Sequence, residues 1–81
     1  MIKVLFFAQT RELVGQDGVE VESTYATAEE LRAELAQKGD KWSLALEPGK
    51  LLVAINQTIS PLDTPVNDGD EVAFFPPVTG G

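Results

Sequence analysis

The 81-residue chain contains no cysteine and no histidine. Without cysteine there is no disulfide, no thiolate metal site, no cysteine persulfide and no thiol nucleophile, and the redox compartment stays open. Without histidine the chain lacks the side chain that most often moves protons near neutral pH and the commonest imidazole metal ligand, which argues against free-standing catalysis and against a metal centre. Cations are scarce too: six Lys and Arg stand against 13 Asp and Glu, a net charge of −7. That balance disfavours nucleic acid and anionic membrane surfaces as partners and suits a basic protein surface. Long apolar runs are also lacking. The opening MIKVLFFAQ is too short to span a bilayer or serve as a signal peptide and carries no small-residue cleavage site, so the cytoplasm is the default compartment.

What is present is ordinary globular material, 43% apolar and 23% charged, in a chain with room for one small domain over residues 1–81. Ile2 to Ala8 is almost continuously apolar, as expected of a central strand covered on both faces. Arg11 to Val14 has the makings of one or two helical turns stopped at Gly15, and Asp17-Gly18 reads as a turn. The strict alternation of VEVES then gives a second strand, hairpin partner of the first, with Val19 and Val21 facing the core.

TAEELRAELAQKG carries the strongest helix signal. Thr27 is positioned to cap it with Glu30 reaching back, Ala28, Leu31 and Leu35 form one apolar stripe, Glu34 and Lys38 stand at i,i+4, and Gly39 is the expected stop. Asp40 opens a further short helix containing Trp42, Leu44 and Leu46 before the Pro48-Gly49 turn, and Trp42 is read as core. LLVAIN is a third strand, QTIS a short edge strand ended by Pro61, TPVNDGD a loop, and EVAFFPPV a last strand stopped by Pro76 and Pro77. One mixed sheet folded around one main helix, an α+β β-grasp, is the simplest packing of these elements.

The first and last strands carry apolar residues on both parities. If Val4, Phe6, Val72 and Phe74 face the helix, then Leu5, Phe7, Ala73 and Phe75 face the other way, because strand side chains alternate. An apolar second face on so small a domain marks a partner surface, extended by Ile59 from the edge segment. The acidic stretch Asp68, Asp70 and Glu71, close to the exit strand, is expected to steer the domain toward basic surfaces. Beyond the prolines, Val78, Thr79, Gly80 and Gly81 form a flexible, nearly side-chain-free end suited to a narrow channel. Its chemical handle is the terminal carboxylate, which a partner enzyme could activate as an acyl-adenylate for attack by sulfur. A carrier of that kind needs no catalytic side chain.

FFAQTRELVG near the start, LLVAINQT in the middle and GDEVAFFPPVTGG at the end closely resemble, along the whole chain, the small sulfur-carrier subunits of molybdopterin synthase. These are ubiquitin-like β-grasp proteins. The resemblance implies that Gly81 is adenylated by an E1-like, ATP-dependent activating enzyme and converted to a thiocarboxylate with sulfur from a donor protein. Docked on the large synthase subunit in a heterotetramer, with Val78, Thr79, Gly80 and Gly81 entering that subunit's active site, it would give sulfur to cyclic pyranopterin monophosphate and build the dithiolene of the molybdenum cofactor. On this reading the chain is a non-catalytic subunit that binds no cofactor and no metal, while ATP belongs to the activating enzyme. A carrier for thiamine thiazole synthesis or tRNA thiolation, a lysine-conjugated modifier, or a pure binding module would share the fold.

Overall fold

The computed structural model describes residues 1–49 and 51–77. Eight elements follow along the chain: β1 (Ile2–Phe6), α1 (Ala8–Val14), β2 (Gly18–Val21), α2 (Ala28–Ala36), α3 (Asp40–Ala45), β3 (Leu52–Ile55), β4 (Thr58–Ser60) and β5 (Glu71–Phe75). The strands form one sheet in the order β2-β1-β5-β3-β4. β1 and β5 run parallel in the middle, and the other pairings are antiparallel. With the helices on one side, this is the ubiquitin-like β-grasp that the sequence pattern implied.

β1 is shorter than the apolar run suggested. Phe7 keeps an extended backbone (φ −127°, ψ 157°), but Ala8 adopts φ 53°. A side chain in that left-handed region costs about 1 kcal/mol, and the turn it makes swings the chain into α1. The helix stops where expected: Gly15, at φ 76°, donates its N–H to the Arg11 carbonyl.

The Asp17-Gly18 turn is not there. Gly18 opens β2 opposite Leu5, and its demand for glycine is steric, since a Cβ would lie 2.5 Å from the Val4 carbonyl oxygen. The connection from β1 to β2 is made by α1 instead. Across the resulting ladder Val19 and Val21 pack against the core, as the alternation required.

α2 forms for local reasons. The Glu30 N–H donates to the Thr27 hydroxyl at 3.2 Å, a cap worth about 1 kcal/mol. The Glu30 carboxylate reaches back to the Ala26 N–H at 3.4 Å rather than to that of Thr27. Two more orphan donors of the first turn, the N–H groups of Ala28 and Glu29, are taken by the carbonyls of Thr64 and Leu62. The loop after β4 therefore closes the helix start, and it plants Val66 in the core, which its loop-like sequence had concealed. Gln37, not Gly39, is the C-cap, and Gly39 instead precedes α3 as its N-cap. Lys38 places its ammonium 5.3 Å from the centre of the Trp42 ring, and the expected Glu34–Lys38 pair is not among the ion pairs of the described residues.

Ala28, Leu31 and Leu35 bury their stripe completely against Ile2, Val4, Phe6, Val53, Val72 and Phe74. Each large side chain so buried contributes about 2 kcal/mol from the hydrophobic effect. Phe6 stacks on Phe74 with centroids 6.5 Å apart and meets the half-buried Trp42 edge-on at 5.4 Å. Trp42 thus joins the core margin. Leu44, by contrast, is 60% exposed.

Candidate functional site: an apolar face beside the tail exit

The registers assign the uncovered side of the sheet row by row. One row carries Glu20, Lys3 and Glu71. The next, crossing the whole sheet, carries Gly18, Leu5, Ala73, Ala54 and Ile59. A third pairs Phe75 with Leu52, and Phe7 lies beside it, its N–H donating to the Phe74 carbonyl at 3.3 Å so that the β1–β5 ladder runs one step beyond β1. Charge therefore collects at the start of β5 and apolar surface at its end.

Of the residues expected on this face, Ile59 is 67% and Phe7 46% exposed, while Phe75 is half-buried. The structure brings Phe7 and Phe75 together and sets Ile59 on the edge strand at the end of the middle row. Leu52 and Ala54, which the sequence reading did not assign to this side, complete the floor. The signal was available, because alternation along LVAI sends Leu52 and Ala54 opposite to Val53 and Ile55. Small Ala54 and Ala73 are buried between their larger neighbours and leave the middle of the face flat. A contiguous uncovered patch of this kind on a small domain is the ordinary mark of a protein interface.

Phe75 leads directly to Pro76, half-buried, and Pro77, exposed. Neither proline can donate a ladder bond, so pairing stops here and the chain leaves the sheet next to the apolar rows. Val78, Thr79, Gly80 and Gly81, on which the tail reading rests, lie outside the described residues.

At the opposite end of β5 the acidic stretch has local work. The Asn56 side-chain amide donates to Asp70 at 3.0 Å and its oxygen accepts from the Glu71 N–H at 3.0 Å, while the other Asp70 oxygen accepts from the Asn67 N–H at 2.8 Å. Asp68 accepts from the N-terminal ammonium and from the Ser23 hydroxyl. Those two bonds, the ammonium first, hold its carboxyl below the usual carboxylate range. Asp68 and Asp70 thus hold the turn and the strand start; of the two, only Asp68 meets a cation, the hydrogen bonds to Asp70 coming from neutral donors.

Among the described residues no helix is long and apolar enough to cross a membrane. The ThiS family model matches residues 4–81. The chain is 69% identical over 81 residues, all of both chains, to a Haemophilus influenzae protein named molybdopterin synthase sulfur carrier subunit. It is 64% identical, again over all of both chains, to the Escherichia coli protein of the same name. Among solved structures it resembles a chain in a protein-protein complex of subunits 1 and 2 of the molybdopterin-converting factor from Helicobacter pylori. There the TM-score is 0.68 with 28% identity, covering 99% of this chain and 97% of that one.

Proposed function

This chain belongs to the ThiS family, and from that premise we propose that it is the sulfur-carrier subunit of a molybdopterin synthase, acting through the carboxylate of Gly81. The observation that carries the reading is the position of the tail exit: β5 lies between β1 and β3 in the middle of the sheet and releases the chain beside Phe7 and Phe75. A partner seated on that face meets the reactive end from a rigid base. Relatives that match along their full length and bear the carrier name support it.

The chemistry needs nothing from the chain's side chains. In the activating enzyme, a Gly81 carboxylate oxygen bonds to the α-phosphorus of ATP and pyrophosphate leaves. A sulfur nucleophile at the sulfide level, delivered by a donor protein, then attacks the acyl carbon and AMP leaves, which yields the thiocarboxylate. On the large subunit the sulfur bonds to a carbon of the pterin precursor in place of an oxygen substituent, which leaves, and water cleaves the acyl–sulfur bond to restore the carboxylate. The carrier binds no cofactor of its own, and its contribution is placement.

Deleting Gly81 would retract the carboxylate by roughly 3.5 Å of extended chain, far beyond the placement that reactive geometry tolerates. The test incubates wild type and the deletion with activating enzyme, ATP and a sulfur donor, then reads intact mass for exchange of one oxygen by sulfur and assays dithiolene formation. Wild type should gain sulfur and support the assay, and the deletion should do neither while still binding the large subunit through the sheet face. Normal dithiolene formation by the deletion would refute the mechanism. Sulfur gained by wild type without any dithiolene formation would move the chain to another carrier class.

A further inference from the structure

The side of the tail exit opposite the sheet face also carries unexplained apolar surface. α1 packs against both α3 and β5, and the seam between them leaves a groove of about 230 Å³ lined by Thr10, Leu13, Leu44, Glu47 and Pro76. Leu44 is 60% exposed on α3, while the next residue, Ala45, and the C-cap Leu46 are buried. Nothing in the core requires a leucine there. Asp40 and Glu47 flank it across a second shallow depression that Leu44 shares. The result is one apolar knob rimmed by carboxylates, adjoining the first residue after β5.

We propose that this α1–α3 groove is a second contact for the large synthase subunit, which grips the tail base from both sides: apolar sheet face on one, Leu44 with its acidic rim on the other. The inference rests on the reading above and adds to it a surface and the chemistry of what meets it.

The reach of the tail sets where the contact must lie. Four residues follow Pro77, and extended chain spans at most about 3.5 Å per residue, so the terminal carboxylate lies within roughly 14 Å of Pro77. A protein whose active site holds that carboxylate must close around the tail base. A specific interface covers about 800 Å² on each partner, a disc of roughly 16 Å radius. Centred on Pro76, such a disc takes in Phe7 and Phe75 on one side and, because Pro76 itself lines the groove, Leu13 and Leu44 on the other. The matching surface is an apolar pocket or ridge with a lysine or arginine beside it to meet Glu47 and Asp40, consistent with the net charge of −7.

The experiment titrates the purified large subunit and, separately, the activating enzyme with full-length wild type, Leu44→Ser, Glu47→Lys and Phe75→Ala, alongside thermal unfolding of each. Because Leu44 is exposed, Leu44→Ser should unfold with the wild-type midpoint yet bind about tenfold more weakly, and Glu47→Lys should bind more weakly with a shallower salt dependence. If Leu44→Ser binds within about twofold of wild type while Phe75→Ala weakens binding, this groove is not part of the interface and the sheet-face reading stands. If neither substitution changes affinity, both fall. A loss seen only with the activating enzyme would overturn the choice of partner.

Discussion

The two ends of β5 are built to opposite plans. At its start, Asn56, Asn67, Asp70 and the Glu71 backbone form a closed set of hydrogen bonds, with the Glu71 carbonyl also accepting from the Asn56 N–H at 2.8 Å. At its finish, Phe75 pairs with Leu52 beside the exposed Phe7, and two prolines end the ladder. One end spends its polar groups on fixing the strand. The other withholds them and leaves apolar surface uncovered. On the proposed reading, stability and association are thereby assigned to different residues of one five-residue strand, with Phe74 and Phe75, neighbours in sequence, on opposite sides of the division.

The comparison breaks most visibly at that pair. Phe74 is fully buried between sheet and helices, so Phe74→Ala should lose about 3–5 kcal/mol, a large part of the stability of a domain this size. Urea denaturation followed by circular dichroism would show it, and a loss below about 1 kcal/mol would mean that the core tolerates the cavity.

Asn56 tests the polar end. Asn56→Ala removes two side-chain hydrogen bonds and places a Cβ without local bonds at φ 50°, for a combined loss of about 2–3 kcal/mol. Asn56→Gly keeps the backbone at ease and should lose less. Affinity for the large subunit should be the same for both variants, and a weakened affinity would show that the two ends are not separable.

Phe75→Ala reports on the apolar end. It should leave the fold in place and weaken association with the large subunit by about 2 kcal/mol, roughly thirtyfold, measured by calorimetric titration. Unchanged affinity in a folded variant would remove Phe75 from the interface.

The smallest effect belongs to Asp68. Its carboxyl is held below the ordinary range by the terminal ammonium and Ser23, so the folded state binds that proton less readily than the unfolded chain. The stability this contributes is present above the unfolded carboxylate range and is lost as pH falls through the lowered folded value. Asp68→Asn should therefore lower the thermal midpoint slightly at neutral pH, and the difference from wild type should vanish on acidification. Added salt should shrink it, since the pair is solvent-exposed.

How much of this was legible in the sequence depends on how local each cause is. α2 could be read because Thr27, Glu30 and the Ala28, Leu31, Leu35 stripe act within a few residues of one another. The facing of β1 and β5 could be read because strand alternation is strict, and it placed Phe6 and Phe74 inward and Phe75 outward. The errors arose where a residue answers to a distant one. Gly18 looked like a turn glycine beside Asp17, but its constraint is the Val4 carbonyl on the neighbouring strand. Val66 looked like loop because nothing nearby announces that its N–H will donate to the Ala26 carbonyl and draw its side chain inward. The β3–β4 turn runs through Asn56 and Gln57, both at positive φ, without the glycine that usually signals such a turn. For the tail the proposed chemistry rests on the sequence alone, and the fold supplies the exit point at Pro76.

The parallel pairing of β1 with β5 has a consequence for assembly in time. Leu5 stands opposite Ala73, so the seam at the middle of the sheet joins segments from nearly opposite ends of the described chain. Closing it means ordering almost everything in between, and topologies dominated by such distant contacts fold slowly. During synthesis the early strands must wait for β5 to emerge, and until then their uncovered edges are exposed to misassociation. The last strand to be made is the one that locks the sheet, and the same strand carries the end that partners would recognise. If partners read the sheet face as proposed, a half-made chain would have no rigid base from which to offer that end, and the folding reaction itself would withhold it from them.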